Sequence, residues 1–200
     1  SSCPHETIGA LADMAGPDEA APLLWDLQHM LQLEPLVPHI AAERRHLVEA
    51  ALERFKTRVA PALGALRAQV VHNDLNPHNV IVSEAGDAVT GVIDFGDMVH
   101  APCICDVAIA AAYHVRREGD PFADISEYVS AYNAVSPLRA DERDLLTDLI
   151  VSRMAMSTLI STWRAALHPD NSAYILRNVP AAWAGLEAIV PNDRRLEIGS

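Results

Sequence analysis

Residues 70–97 read V-V-H-N-D-L-N-P-H-N-V-I-V-S-E-A-G-D-A-V-T-G-V-I-D-F-G-D, and the reading of this stretch decides the fold. Two runs rich in β-branched residues, 80–82 and 89–93, flank Glu84, Ala85, Gly86 and Asp87. A Gly-Asp pair between such runs predicts a tight hairpin, because glycine supplies the positive φ that a primed turn needs. With Gly86 and Asp87 as a two-residue loop, paired residue numbers sum to 173, which sets Asn79 directly across from Asp94. Opposed side chains on a hairpin stand roughly 5 Å apart at Cβ, a gap suited to oxygen ligands on neighbouring Mg²⁺ ions. Asp74 precedes Asn79 by five residues, on the loop that feeds the first strand. The expectation is a cluster of Asp74, Asn79 and Asp94 at one end of a hairpin.

Outward from this stretch the pattern is helical. Leu24, Leu27 and Leu31 recur at helical spacing in 21–32, and Pro35 and Pro38 are expected to end that helix. A longer helix over 40–58 carries Leu47, Ala51, Phe55 and Val59 on one stripe. After the hairpin, Asp106 stands where an N-cap is wanted for V-A-I-A-A-A-Y-H-V-R-R. Gly119, Asp120 and Pro121 separate this helix from one over 122–134. The longest helix spans 140–167, with Leu145, Leu149, Met156, Ile160 and Trp163 as its core stripe, and a last one over 174–189 is kinked or split by Pro180. Residues 1–20 read as a loose lead-in with one short helix. The fold class is therefore α+β, predominantly α-helical, with an embedded β-hairpin.

Composition narrows the function classes. At 200 residues the chain can build one good-sized domain or a large lobe. Its net charge of −12 disfavours nucleic acid and suits a small molecule bearing an amine. Three cysteines make no disulfide framework and imply a reducing, cytoplasmic setting. No apolar run approaches the ~20 residues of a membrane span, and no signal-peptide pattern opens the chain. His100, Cys103 and Cys105 lack a clear fourth ligand and do not match ordinary zinc spacings.

The spacing His72-x-Asp74-x-x-x-x-Asn79, followed by a strand pair ending in Asp94-Phe95-Gly96, resembles the catalytic loop and metal-binding motif of kinases. His72-Asn73-Asp74 lacks the Arg that protein kinases carry there. Only eleven residues separate Asp94 from Asp106, too few for an activation segment. Asp106-Val107-Ala108 is instead similar to the D-L-A element of the aminoglycoside phosphotransferase and choline kinase family, and Ile93-Asp94-Phe95-Gly96-Asp97-Met98 to its hydroxylysine kinase-like branch. Homoserine kinase-like members are a second close branch. The family pattern has Pro three residues before the D-L-A Asp, whereas Pro102 sits four before Asp106.

The resemblance implies the C-terminal lobe of a protein kinase-like fold: a helical lead-in over 1–69, a catalytic loop and metal-binding hairpin over 70–108, and a helical substrate-side subdomain over 109–200. A kinase also needs a small lobe with a strand lysine for the α/β-phosphates. The single lysine, Lys56, lies in a helical pattern eighteen residues before Asp74, so that lobe is expected to be absent and these 200 residues inactive alone. By the resemblance, Asp94 and Asn79 hold Mg²⁺ on the phosphates of ATP or GTP. Asp74 orients the acceptor hydroxyl and takes its proton, while His72 and Asp106 brace the loop. Asp97 reads equally as a contact for a substrate amine or as a solvated turn residue. Arg153, on the stripe of the long helix, either snorkels outward or points into the acceptor pocket to pair with a substrate carboxylate. The implied activity is phosphoryl transfer to a hydroxyl of a hydroxylysine-like acceptor, ahead of homoserine, choline or aminoglycoside alcohols. The rival readings are a catalytically silent ligand- or partner-binding module and a metal-dependent phosphohydrolase.

Overall fold

The structure, a computed structural model, describes residues 24–116 and 118–197. Helical 3₁₀ turns over Leu27–His39 lead into helix α1 (Arg45–Arg54), which a π-helical turn, Phe55–Val59, prolongs. Strand β1 (Ala68–Val71) precedes the loop carrying Asp74, and β2 (Val80–Val82), β3 (Val89–Val92) and β4 (Val99–Pro102) follow. The rest is helical: α2 (Cys103–Ala111), α3 (Ala123–Val135), α4 (Ala140–Leu167), α5 (Ser172–Ile175) and α6 (Val179–Ile189). The architecture is α+β and mostly helical, with two small antiparallel sheets, β1–β4 and β2–β3.

Helix α4 is the axis of the molecule. Its 28 residues span about 42 Å at 1.5 Å per residue. The 3₁₀ segment, α1, α2 and α6 all pack on it. Between Leu145 and Ile160 it is buried nearly all round, Leu146, Leu149, Ile150 and Leu159 included, as a helix at the centre of a core must be. Its first turn is fastened by Glu142, whose carboxylate accepts the Arg139 N–H at 2.8 Å and the Arg67 guanidinium at 2.6 and 3.0 Å. One contiguous apolar core runs from Leu27 to Leu196, and Val71, Val99 and Ala101 form a small satellite under the β1–β4 sheet.

Most expected helices form, α4 with the bounds expected, and Leu47, Ala51, Phe55 and Val59 are all buried. Three expectations need correction. The prolines do not end the first helical segment, which runs through Pro35 and Pro38 to His39. With three residues per turn, Met30, Leu33 and Leu36 share the inner face while both prolines sit exposed outside. The first part of the expected helix, 21–23, and the lead-in over 1–20 lie outside the described residues.

Asp106 is not an N-cap. Helix α2 starts three residues earlier, directly after Pro102, because Ile104 and Cys105 belong to its buried face. The hairpin register also differs. Val80 pairs with Val92 and Ile81 with Gly91, and a bulge then brings Val82 against Val89. A longer loop replaces the two-residue turn: Gly86, at φ 71°, donates its N–H to the Ser83 carbonyl at 2.9 Å, and the Ser83 hydroxyl donates to Asp87 at 2.7 Å. Asn79 therefore pairs with Ile93, whose N–H donates to the Asn79 carbonyl at 3.0 Å, and Asp94 falls one residue beyond the ladder. The β1–β4 pair, with Val71 against Val99, was not anticipated; it ties the strand before Asp74 to the segment after Asp97. The last predicted helix divides into α5 and α6, with Pro180 in the first turn of α6, where its missing N–H costs nothing.

Candidate active site

The 72–79 loop is built around the Asp74 carboxylate. Its Oδ2 accepts the side-chain amides of Asn76 at 2.9 Å and Asn79 at 3.1 Å, and its Oδ1 accepts the Arg153 guanidinium at 3.2 Å. Asn79 also donates to the Asp74 carbonyl at 2.8 Å. Fixing both oxygens fixes the rotamer, and the side chain keeps 24 % of its surface exposed.

Beneath Asp74 the loop meets His72 and Asp106. The Asp74 N–H donates to His72 Nδ1 at 3.3 Å, so Nε2 carries the hydrogen it donates to the Ile93 carbonyl at 2.9 Å. One imidazole thus bridges loop and hairpin, with its ring tilted on Phe95 at 4.9 Å. Asp106, in the first turn of α2, accepts the Asn73 N–H at 2.8 Å. Burial pushes its carboxyl above the usual range, and that hydrogen bond opposes the shift. Asn73 holds φ at 65°, a left-handed conformation that Asn tolerates better than most residues. Its side chain is fully buried and neither amide atom has a partner among the described residues.

Asp94 is the second left-handed residue, at φ 63° and ψ 66°, and is exposed. Non-glycine residues held there cluster at ligand sites, where the surrounding structure supports the strain. Asp97, three residues on, is half-buried; burial first, and then the charges of Asp74 and Asp94, push its carboxyl above its ordinary value. Three carboxylates thus share one electrostatic neighbourhood, countered by Arg153.

Asp74, Asn76 and Asp97 form the acidic and amide end of a cavity of about 250 Å³. Its other walls come from Trp25, Tyr113, Tyr174 and the polar face of α4. Arg153 does not snorkel: it is 3 % exposed, packs its guanidinium over Trp25 at 5.1 Å and reaches the Tyr113 hydroxyl at 3.4 Å. Asp74, rather than a waiting gap, is its carboxylate partner. Asn76, Tyr113, Trp25 and the residues at 157, 161 and 164 were not singled out from the sequence. The signal was present in part, since 153, 157, 161 and 164 recur at helical spacing as a polar stripe on an otherwise buried helix. His78 is exposed and does not line the cavity.

Among the described residues, no group of three or more His, Cys, Asp or Glu side chains could hold a metal ion. His100 is exposed, while Cys103 and Cys105 are buried free thiols whose ionisation burial suppresses. The donors near the hairpin mouth nevertheless fit Mg²⁺, which takes one or two protein oxygens and completes its shell with phosphate and water. Asn79 spends its Nδ2 on Asp74, which leaves its oxygen as the remaining donor, and Asp94 presents an exposed carboxylate.

The described residues thus set a carboxylate loop and a short hairpin on a helical body, beside a cavity lined by acids and arginines. The sequence model of the Phosphotransferase enzyme family matches residues 5–143, more than half of the chain, and the chain belongs to that family. Among curated proteins it is similar to the hydroxylysine kinase of Mus musculus, 29 % identical over 174 residues, covering 83 % of this chain and 46 % of that protein. It is likewise similar to the hydroxylysine kinase of Bos taurus, 28 % identical over 180 residues, covering 86 % and 48 %. The chain thus spans about half the length of the curated relatives it matches. No helix among the described residues is long and apolar enough to cross a membrane.

Proposed function

We propose that this chain is the catalytic, C-terminal lobe of a small-molecule kinase, which transfers the γ-phosphoryl group of ATP or GTP to the hydroxyl of an amino alcohol or hydroxy amino acid. A hydroxylysine-like acceptor is favoured by the similarity to hydroxylysine kinases. The observation that carries the reading is the Asp74 carboxylate, fixed by Asn76, Asn79 and Arg153 at the edge of a polar cavity.

In this reading the acceptor hydroxyl lies against Asp74. Its oxygen forms the new bond to the γ-phosphorus as the bond from phosphorus to the β–γ bridging oxygen breaks, and its proton passes to the carboxylate. A carboxylate suffices because the proton need leave only as the phosphoryl bond forms. Asn79 and Asp94 would hold Mg²⁺, which neutralises charge on the phosphates when bound. His72 and Asp106 keep the loop in register through Asp74 N–H and Asn73 N–H. The exposed apolar side chains Ile81, Val82, Ile93 and Phe95 on and beside the hairpin supply the surface for the nucleotide base and a small lobe.

The test is phosphoryl transfer to hydroxylysine by the full-length parent, wild type against Asp74→Asn. Loss of the proton acceptor should lower kcat by ~10²- to 10⁴-fold with little change in the KM for nucleotide. An unchanged kcat would remove Asp74 from the chemistry. Phosphate release without any acceptor would replace the kinase by a hydrolase.

A further inference from the structure

The cavity has a second end whose charge the reaction does not use. Along α4 the residues facing it are Arg153, Ser157, Ser161 and Arg164, and Arg177 follows from the segment after α5. From Arg153 to Arg164 is eleven residues, about 16 Å along the axis at 1.5 Å per residue. Long side chains on a helix lean toward its N-terminus, which brings Arg164 back over the cavity toward Asp74.

In this acidic chain, arginines are mostly spoken for. Arg44, Arg54, Arg58, Arg67, Arg116, Arg194 and Arg195 each reach a carboxylate at 3.2 Å or closer. Arg164 and Arg177 line a cavity and have no carboxylate partner among the described residues. Arg177 instead lies with its guanidinium 3.9 Å from the centre of the Tyr174 ring, which holds the fork flat and leaves its donor edge free. Two unpaired guanidinium groups beside hydroxyls and amides (Ser157, Ser161, Asn171, Asn178) make a site for a planar anion.

We propose that Arg164 and Arg177 form a carboxylate clamp at the far end of the acceptor cavity, so that the acceptor is a hydroxyl-bearing α-amino acid and not an amino alcohol lacking an acid group. The proposal rests on the kinase reading for the placement of the hydroxyl at Asp74. A hydroxylysine-like ligand then lies with its α-carboxylate on the two arginines and its side-chain amine, beside the hydroxyl, toward Asp97, whose charge an ammonium would stabilise. A polycationic acceptor such as an aminoglycoside would bring like charge to the arginine end and is disfavoured. Arg153 is excluded as the clamp because Asp74 already takes its guanidinium.

The experiment compares L-hydroxylysine with its carboxamide, in the full-length parent, by calorimetric binding and by phosphoryl transfer. Wild type should bind the acid ~10- to 100-fold more tightly than the amide, the range for hydrogen bonds to charged groups. The double variant Arg164→Gln/Arg177→Gln should bind both alike, and Arg164→Lys/Arg177→Lys should keep part of the preference. The acceptor KM in the Gln variant should rise by a similar factor while the nucleotide KM stays put. Equal binding of acid and amide by wild type, or an acid preference that survives in the Gln double variant, overturns the clamp. Acid preference without turnover would uphold the clamp and sink the kinase reading; turnover of acid and amide alike would do the reverse.

Discussion

Asp97 is the residue whose environment makes the sharpest claim. Burial, with Asp74 and Asp94 nearby, raises its folded pKa above the ordinary value of 3.8, against a smaller opposing effect of Arg153. Between those two values the folded chain holds more protons than the unfolded one, so stability falls as pH rises through that window. The penalty is complete at neutral pH. Asp97→Asn removes it, and the variant should be at least as stable as wild type at pH 7, its advantage fading as pH falls toward the ordinary carboxylate value. Urea midpoints at the two pH values check this, and a variant less stable at pH 7 would mean the carboxylate has a favourable partner. Asp74, Asn79 and Asp94 could be singled out because they lie close together in the stretch that carries the family resemblance. The contact of Arg153 with Asp74 could not, since 79 residues separate them and only packing chose between the two orientations of Arg153.

At the scale of elements, α4 carries a buried acid that fastens two distant segments. Asp148 is fully buried, and its Oδ2 accepts Arg58 from the turn after α1 and Arg195 from the C-terminal segment, both at 2.7 Å. The partners themselves are partly exposed, so neither alone is decisive. Arg58→Ala/Arg195→Ala together would leave a buried carboxylate unpaired and should cost about 3–5 kcal/mol by denaturant titration, more than the two single variants added. Asp148→Asn added to that double variant should recover part of the loss. The hairpin makes the opposite case. Ile81 and Val82 are 46 % and 55 % exposed, so Ile81→Thr/Val82→Thr should change the stability of this chain by no more than about 0.5 kcal/mol per site. In the parent the same pair should raise the nucleotide KM severalfold. Unchanged nucleotide KM would take the nucleotide off this face.

For the whole molecule, the reading makes the chain half of a catalyst. Phosphoryl transfer depends on positioning nucleotide and acceptor together, and the cavity proposed for the acceptor is lined by Asp74 and Asp97 but by no residue of β2 or β3. The 200 residues by themselves should transfer phosphate at less than about one-hundredth of the parent's rate, a conservative reading of what lost positioning costs. A kinase assay of both at equal concentration checks this, and comparable rates would show that the site is complete without a second lobe.

Local chemistry determined what the sequence could tell: β-branched runs made the hairpin, 3.6-residue periodicity made α4 to its last residue, and closely spaced oxygen side chains marked the loop. Tertiary structure decided the rest, for reasons that are not local. The hairpin register followed from the Ser83 and Asp87 contacts and a bulge, not from the glycine alone. Helix α2 began where its buried face required and not at the best capping residue. The arginine end of the cavity exists only because α4 and the segment after α5 meet. Spacing along the chain reports which side chains share a face, but which face meets which partner is settled by packing the core.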